Sequence, residues 1–392
     1  MAAATARVPG APGSSMLRPM RDAPPNPFDP LMGHLRSWTG EGRIPGAVVA
    51  VGRASGPLLV GAVGHRALEP RRERMTAGTI FDLASLTKVL VTAPLVVELS
   101  VRGALALDRT VERYLPETRG TGAGAVPLHM LLTHTGGFPP FNADADYAGS
   151  KTRLLRAIAR EPVQAPPGAR FLYSDVGFIL LQLVVERVTG LRLDRAADAL
   201  LFAPLGFRDT RFGVRSADRA RTAPTERAAG RWLRGRVHDP RARSRALAGV
   251  AGHAGVFGTA REVGRFCEMI LRGGMAGRRR VLAGETVRLL TTNHCPMAVR
   301  VRRGCGFDIE SPYSAPRGAL FSLDSCGHSG FTGVSLWLDP VRDGYVVLLT
   351  NSVHAGGHKD LKPLRFEAGT LAARGLASMA RAARRARIRP SR

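Results

Sequence analysis

The segment FDLASLTKVLVTA, residues 81–93, decides how the rest of the chain is interpreted. Ser85 is followed three residues later by Lys88, and the apolar run after Lys88 predicts a helix. Residues i and i+3 share a helix face, so the serine hydroxyl and the lysine amine can meet. A neighbouring base turns a serine into a nucleophile, and burial lowers the pKa of a lysine so that it can act as that base. The segment therefore predicts a nucleophilic serine at a helix N-terminus, where developing negative charge is stabilised.

The same Ser-x-x-Lys spacing also arises by chance, as an ordinary polar pair on an amphipathic helix. The scarcity of lysine favours the catalytic interpretation. Of 57 basic residues only four are lysines, and arginine cannot give up its proton in a protein. A lysine within an apolar segment suggests a role that arginine could not fill. The four are Lys88, Lys151, Lys359 and Lys362.

Length and charge set the frame for the other predictions. At 392 residues the chain can bury a large core, as one domain or as two subdomains. Its formal net charge of +26 would favour acidic surfaces. The arginines, however, are spread along the whole chain, and aromatic residues make up only 6%. We predict a solvated basic surface and no specific nucleic-acid partner, with nucleic-acid binding as the weaker alternative.

The N-terminal segment and the cysteines bear on the compartment. Residues 1–30 are rich in alanine, proline and glycine and are broken by arginines, which predicts a disordered lead-in and not a signal peptide. No apolar run is long enough to span a bilayer. As written, the sequence predicts a cytoplasmic protein; a misassigned start codon would make it periplasmic. The cysteines lack C-x-x-C spacing, so free thiols are expected at Cys267, Cys295, Cys305 and Cys326.

Strand patterns lie near both ends of the chain. Residues 46–52 and 58–63 predict one hairpin, and residues 335–338 and 345–350 predict a second. Helical patterns fill the middle. We therefore predict an α+β fold, an α/β sandwich, in which the terminal segments share one antiparallel β-sheet flanked by helices.

The predicted boundaries follow from this layout. A domain over residues 31–375 would contain a mainly helical subdomain inserted at about 90–240, and a basic tail would occupy 376–392. Pro94 predicts a kink in the helix that follows Ser85. The arginine-rich segment 208–245 has little periodicity and is expected to form surface loops.

Two further segments carry polar groups suited to a site. Tyr173, with a serine and Asp175 after it, lies just before a predicted helix. Asp175 could simply cap that helix and Tyr173 could be a packed aromatic; alternatively, a phenol beside a lysine ammonium would shuttle protons. The segment CGHSGFTG, residues 326–333, leads into a strand. It could be a glycine-rich turn with a surface histidine at His328, or an edge that binds a substrate carbonyl.

In this order, Ser-x-x-Lys, Tyr-Ser-Asp and His-Ser-Gly resemble the landmarks of the serine β-lactamase and penicillin-binding-protein superfamily, namely Ser-x-x-Lys, Tyr-x-Asn and Lys-Thr-Gly. The nearest resemblance is to the class C β-lactamase-like branch, with its esterases and D,D-peptidase-like members. Three local phrases are similar to that branch: LLTHTGG at 131–137, FAPLGF at 202–207 and VAGHAG at 250–255. The resemblance implies a β-lactamase/transpeptidase-like fold.

The resemblance also implies roles for particular residues. Ser85 would be the acylated nucleophile, Lys88 its proton-transfer partner, and Tyr173 the general base and later the acid to the leaving group. The backbone N–H groups of Ser85 and Phe331 would form the oxyanion hole, where each donor is worth about 2.7–4 kcal/mol.

The remaining positions would bind substrate, and two of them depart from the β-lactamase pattern. His328, Ser329 and Gly330 occupy the Lys-Thr-Gly position and would line the edge strand. A histidine there is mostly neutral at pH 7 and lacks the permanent charge that holds a carboxylate. Asp175 replaces an amide residue, so a donor becomes an acceptor. Both changes fit esterase- or peptidase-like members better than enzymes of penicillin hydrolysis, and no acidic deacylation residue of the class A type can be identified.

These inferences predict a serine hydrolase that cleaves an ester or amide, such as a peptidoglycan-related peptide or a lactam, through a Ser85 acyl-enzyme. It would need no metal and no cofactor, and its partner would be a small-molecule ester, peptide or lactam. The alternative is a non-catalytic binding or scaffolding protein that kept the fold, although Ser85, Lys88 and Tyr173 are all present.

Overall fold

The computed structural model describes residues 26–356 and 360–388. Of the lead-in predicted for residues 1–30, residues 1–25 lie outside the described residues. The first helix begins at Asp29. The C-terminal segment predicted as a tail from residue 376 continues a long helix as far as Ile388.

Fifteen strands are present among the described residues. They are β1 (Gly46–Arg53), β2 (Gly56–Ala67), β3 (Glu73–Arg74), β4 (Phe81–Asp82), β5 (Arg211–Phe212), β6 (Arg227–Ala228), β7 (Arg231–Trp232), β8 (Val256–Gly258), β9 (Met275–Ala276), β10 (Arg279–Arg280), β11 (Arg302–Arg303), β12 (Asp308–Glu310), β13 (Cys326–Ser329), β14 (Ser335–Asp339) and β15 (Gly344–Thr350).

Ten α-helices are present in the same part of the chain. They are α1 (Asp29–Gly40), α2 (Ala93–Val101), α3 (Val111–Tyr114), α4 (Leu128–Leu132), α5 (Lys151–Arg160), α6 (Asp175–Thr189), α7 (Leu193–Ala197), α8 (Ala260–Leu271), α9 (Gly284–Thr291) and α10 (Lys362–Ile388). Even the 27-residue α10 has no stretch apolar enough to cross a bilayer, and neither has any other described helix.

The main sheet joins the two ends of the chain. Its eight strands run in the order β11-β12-β13-β14-β15-β1-β2-β3, and the pairs are antiparallel. The central pair unites the terminal hairpins, with Val49 of β1 opposite Leu348 of β15. The prediction that N- and C-terminal segments share one antiparallel sheet is therefore confirmed.

Helices cover both faces of this sheet, because successive side chains of a strand point to opposite faces and both faces are apolar here. On β1, Val49 and Val51 belong to a cluster built with α1 and α10. Val48 and Ala50 point to the opposite face and join the larger cluster that includes α8 and the helices of the middle of the chain. The sheet and the helices on its two faces form three layers, as an α/β sandwich requires.

Helical elements dominate the segment between β4 and β5, where the helical insertion was predicted. Pro94 lies at the start of α2, and the turn before it, Lys88–Thr92, is π-helical. The chain thus changes helix type just where the proline removes a donor. The arginine-rich segment after residue 208 has only short strands and a 3₁₀ turn, Ser216–Arg221, as expected for loops.

Candidate active site

Ser85 lies at the point where strand β4 turns into the buried helix. The preceding residue, Ala84, has a φ of 46°, which is unusual for a residue with a side chain. Asp82 stabilises this turn, because its Oδ1 accepts a hydrogen bond from the Ala84 N–H at 2.9 Å. The tight turn leaves Ser85 half-buried at the helix start.

Lys88 is fully buried directly behind Ser85. Its Nζ lies 3.1 Å from Ser85 Oγ, as the i, i+3 spacing predicted, and 2.7 Å from Asp175 Oδ1. A third contact, at 3.4 Å, goes to the backbone oxygen of His253 in the glycine-rich loop. Three oxygen atoms therefore hold one ammonium in the wall beneath the serine.

The sequence-based expectation that burial lowers the pKa of Lys88 is wrong. Burial does oppose the charge, but Asp175 first and Tyr173 next outweigh it and raise the pKa of Lys88 above its usual value. The reason is that an anion in direct contact in a low-dielectric wall favours the charged lysine more than desolvation penalises it. This direction favours the protonated form of Lys88 beside Ser85.

Tyr173 and Asp175 flank the first turn of α6. The helix is capped by the Ser174 side chain, which accepts a hydrogen bond from the Gly177 N–H, so the capping role considered for Asp175 is wrong. Asp175 instead turns towards Lys88 from the other side of the site. Its replacement of an amide thus supplies a counter-ion for the lysine.

The Tyr173 ring is held by aromatic neighbours beside the lysine. It stacks on the buried His134 with ring centroids 4.3 Å apart, and it lies 5.3 Å from the Tyr313 ring. The Lys88 ammonium is 4.9 Å from the centroid of the Tyr173 ring. The fold therefore brings the Tyr173 ring beside the ammonium that contacts the serine hydroxyl, although the two segments are distant in sequence.

Strand β13 lies on the opposite side of the site, and the segment that follows it is packed tightly against the turn of Ser85. A Cβ atom added at Gly330 would lie 3.1 Å from the Ala84 Cβ and 2.6 Å from Val334 Cγ2, so this position needs glycine. The Thr332 hydroxyl donates to the Asp82 carbonyl oxygen at 2.8 Å. These contacts bring the backbone of Phe331 close to the start of the helix.

His328 is buried on this strand and neutral. Its Nδ1 lies 2.7 Å from the Ser329 carbonyl oxygen, which identifies Nδ1 as the donor nitrogen. Burial, followed by the nearby charges of Arg303 and Lys88, holds the pKa of His328 well below its usual value. The lowered pKa of His328 agrees with the prediction that this residue lacks a permanent positive charge.

A cavity of about 490 Å³ unites these groups. Seven of the eight predicted site residues line it, and the eighth, Lys88, lies in the wall behind Ser85. The seven are Ser85, Tyr173, Asp175, His328, Ser329, Gly330 and Phe331.

Sequence reasoning missed several charged groups in the same cavity. Glu226, His238 and Asp239 come from the arginine-rich segment that was expected to form surface loops, and Arg303 and Asp308 form a buried ion pair at 3.2 Å. The one usable signal was the glycine-dense phrase VAGHAG at 250–255, because its His253 also lines the cavity.

One group of possible metal ligands exists within the described part of the chain. Oxygen atoms of Asp175 and Asp239 and a ring nitrogen of His253 lie within 4.8 Å of one another. The Lys88 ammonium already holds Asp175 Oδ1, and His253 Nε2 lies 3.2 Å from Asp239 Oδ1. These ligand atoms already have partners, and a divalent cation bound here would lie beside an ammonium. The group is therefore poorly suited to bind a metal ion.

A large antiparallel sheet between helical layers, with serine and lysine meeting beside the end of strand β13, is the arrangement of a serine hydrolase. β13 lies between β12 and β14, so the prediction of an edge strand at this position is wrong. Residues 26–370 match the family model described as Beta-lactamase. The chain therefore belongs to the beta-lactamase family, and it is a serine hydrolase of that family. The alternative of a non-catalytic scaffolding protein is not favoured.

Individual relatives agree with this assignment. A protein of Escherichia coli (strain K12), provisionally assigned as a D-alanyl-D-alanine carboxypeptidase, is 32% identical over 331 residues, which cover 76% of this chain and 75% of that protein. EstCE1, a hydrolase with promiscuous acyltransferase activity, matches with a TM-score of 0.70 at 23% identity over 88% of this chain and 98% of its own. A class C beta-lactamase from Rhodobacter sphaeroides matches with a TM-score of 0.69 at 22% identity, covering 89% and 99%. At these identities the two structures bear on the fold alone, and they confirm the predicted β-lactamase/transpeptidase-like fold.

Proposed function

We propose that this serine hydrolase cleaves an ester or amide through a covalent acyl intermediate on Ser85. The observation that carries the proposal is the Lys88 ammonium, fixed between Ser85 Oγ at 3.1 Å and Asp175 Oδ1 at 2.7 Å under the cavity.

Acylation begins with the loss of the Ser85 proton. Because the raised pKa of Lys88 favours its protonated form, we assign the acceptance of that proton to Tyr173, whose ring lies beside the ammonium. Ser85 Oγ bonds to the substrate carbonyl carbon, and the oxyanion is stabilised by the backbone N–H groups of Ser85 and Phe331. Tyr173 then gives its proton to the leaving oxygen or nitrogen as that bond breaks.

Deacylation runs the same sequence with water. Tyr173 takes a proton from water, whose oxygen bonds to the acyl carbon, and then returns the proton to Ser85 Oγ as the ester bond breaks. The segment formed by His328, Ser329 and Gly330 would align the substrate backbone. A neutral His328 offers no fixed charge for a lactam carboxylate, which favours esters and peptide-like amides.

A covalent probe tests the proposal directly. The full chain is treated with a fluorophosphonate, digested, and mapped by mass spectrometry. We expect the added mass on the peptide that contains Ser85, and none on peptides that contain the other cavity serine, Ser329, or the capping Ser174. An unlabelled Ser85 in folded protein would refute the proposed nucleophile.

Tyr173→Phe tests the proton-transfer role. Removing the hydroxyl keeps the ring and its stacking on His134, so packing should survive while the base is lost. We expect the acylation rate with p-nitrophenyl esters to fall about 10³-fold, within the usual range for a general acid–base group. Tyr313→Phe, which removes a hydroxyl from the neighbouring ring, is the matched control. Equal, small effects of the two changes would contradict the assignment.

Asp175→Asn tests why Lys88 is charged. Asp175 is the main group that raises the pKa of Lys88, so its removal leaves burial as the dominant influence and the pKa falls. If the ammonium is the working form, activity is present below the Lys88 pKa and lost as pH rises through it. The alkaline limb of the kcat/KM profile should therefore move to lower pH in the variant. An unmoved limb would show that the charge of Lys88 does not depend on Asp175.

A further inference from the structure

Asp82 is not among the described residues that line the catalytic cavity, yet it is bonded to both segments that carry the proposed oxyanion donors. It is 2% exposed, on the strand that leads into Ser85. Its Oδ1 accepts a hydrogen bond from the Ala84 N–H, in the turn just before Ser85. Its backbone oxygen accepts a hydrogen bond from the Thr332 hydroxyl, one residue after Phe331. One buried residue therefore links the neighbours of both donors.

A second link runs from the Asp82 side chain through His238 to Phe331. Asp82 Oδ2 accepts a hydrogen bond from the backbone N–H of His238 at 2.8 Å and lies 3.2 Å from the ring Nδ1. These two contacts hold both the backbone and the ring of His238. The ring stacks on the Phe331 ring, with centroids 5.6 Å apart and planes inclined by 13°. Phe331 is 47% exposed, so the stack restrains a side chain that the core does not enclose.

The turn before Ser85 needs such support. The φ of 46° at Ala84 is unfavourable for a residue with a side chain and persists only where neighbouring groups hold it. The turn also lies against the loop that carries Phe331, because a Cβ atom added at Gly330 would be 3.1 Å from the Ala84 Cβ and 3.1 Å from the Leu83 carbonyl oxygen. A rotation of the turn would therefore change the separation of the two donor N–H groups.

We propose that Asp82 is a positioning residue that holds the backbone N–H groups of Ser85 and Phe331 in the geometry that stabilises the oxyanion. The inference rests on the proposed function and adds a residue that acts through the donors without touching substrate. Oxyanion donors are effective when they are aligned before the charge develops, and a displacement of about 1 Å can lower a rate about 10²-fold. A carboxylate suits this role because both of its oxygens accept hydrogen bonds, whereas an amide of the same shape has one acceptor and one donor.

Asp82→Asn tests the proposal with p-nitrophenyl esters. The amide turns N–H donors towards either Ala84 or His238, so one of the two links is lost. We expect kcat to fall about 10²-fold. Acylation and deacylation both pass through an oxyanion and should slow together, so KM should stay within about twofold.

Phenylboronic acid supplies a readout that a merely structural role would not move. Ser85 Oγ bonds to boron and the serine proton is released, which leaves a tetrahedral anion with a boron-bound oxygen in the place of the oxyanion. The inhibition constant should rise at least about 10-fold in Asp82→Asn, because this adduct needs the same donors.

Asp339→Asn is the matched control. Asp339 is also buried, and its carboxylate accepts hydrogen bonds from the backbone N–H groups of Ser322 at 2.7 Å and Val341 at 3.0 Å, but it is not among the described residues that line the cavity. This variant should keep kcat and the inhibition constant of phenylboronic acid unchanged.

Thr332→Val is a second test, which removes only the hydroxyl that donates to the Asp82 oxygen. We expect a smaller fall in kcat, about 10-fold, again without a change in KM. This variant decides alone if Asp82→Asn does not fold, and an unchanged kcat would then overturn the inference.

Three results with folded Asp82→Asn would also overturn the inference. They are a kcat equal to that of Asp339→Asn, a rise in KM that accounts for the whole loss of kcat/KM, and an unchanged inhibition constant for phenylboronic acid. A failure of the proposed function is distinguishable, because the protein without substitutions would then not take up fluorophosphonate on Ser85.

Discussion

Ser85→Ala is expected to lower kcat for p-nitrophenyl esters by about 10⁶-fold, the loss typical of removing a nucleophile from a group that acts as a unit. The change deletes one oxygen atom at a half-buried position, and the helix behind it keeps its packing. The measurement is the initial rate with a panel of esters, together with fluorophosphonate labelling. Residual catalysis should reflect only substrate binding and the backbone donors.

Ser329→Ala is the matched control for this prediction. Ser329 lines the same cavity on β13 but is not among the hydrogen-bond partners of Lys88 in the described residues. Its loss should change kcat far less, because it lies at the substrate edge. If Ser329→Ala were as damaging as Ser85→Ala, or if Ser85→Ala kept its label, the nucleophile would have to be reassigned.

Lys88→Ala is expected to lower the acylation rate by about 10⁴-fold. The variant removes the ammonium 3.1 Å from Ser85 Oγ and leaves the Asp175 carboxylate without its counter-ion. That carboxylate would then oppose the negative charge that develops on Ser85 and Tyr173 during acylation. Single-turnover acylation, followed by the released nitrophenol, separates this effect from deacylation.

Two further variants sharpen the prediction for Lys88. Lys151 also bonds a carboxylate of α6 at 2.7 Å, that of Glu186, but lies outside the cavity, so Lys151→Ala should leave acylation unchanged. Lys88→Arg keeps the positive charge. Its planar guanidinium, however, cannot replace a compact ammonium that contacts three oxygen atoms in a fully buried site. Full activity of Lys88→Arg would mean that charge alone suffices. Circular dichroism of the Lys88 variants, compared with that of Lys151→Ala, distinguishes loss of folding from loss of chemistry.

The parts of the molecule that follow from local patterns could be predicted from the sequence. Short, continuous apolar runs in 46–52 and 345–350 predict strands, and pairing of the terminal hairpins follows because both need to be buried. The spacing of Ser85 and Lys88 places their side chains on one helix face, whatever the rest of the fold does. Tyr173 could be chosen by its position before a helix and by the order of the motifs.

The tertiary structure decided what depends on contacts between distant segments. The sign of the Lys88 pKa shift depends on Asp175, which lies 87 positions away, and on the depth at which both are buried. Glu226 and Asp239 carry no periodic signal in an arginine-rich loop, so only folding brings their charges into the cavity. Backbone patterns are encoded locally, whereas electrostatic environments are sums over neighbours that only the folded chain assembles.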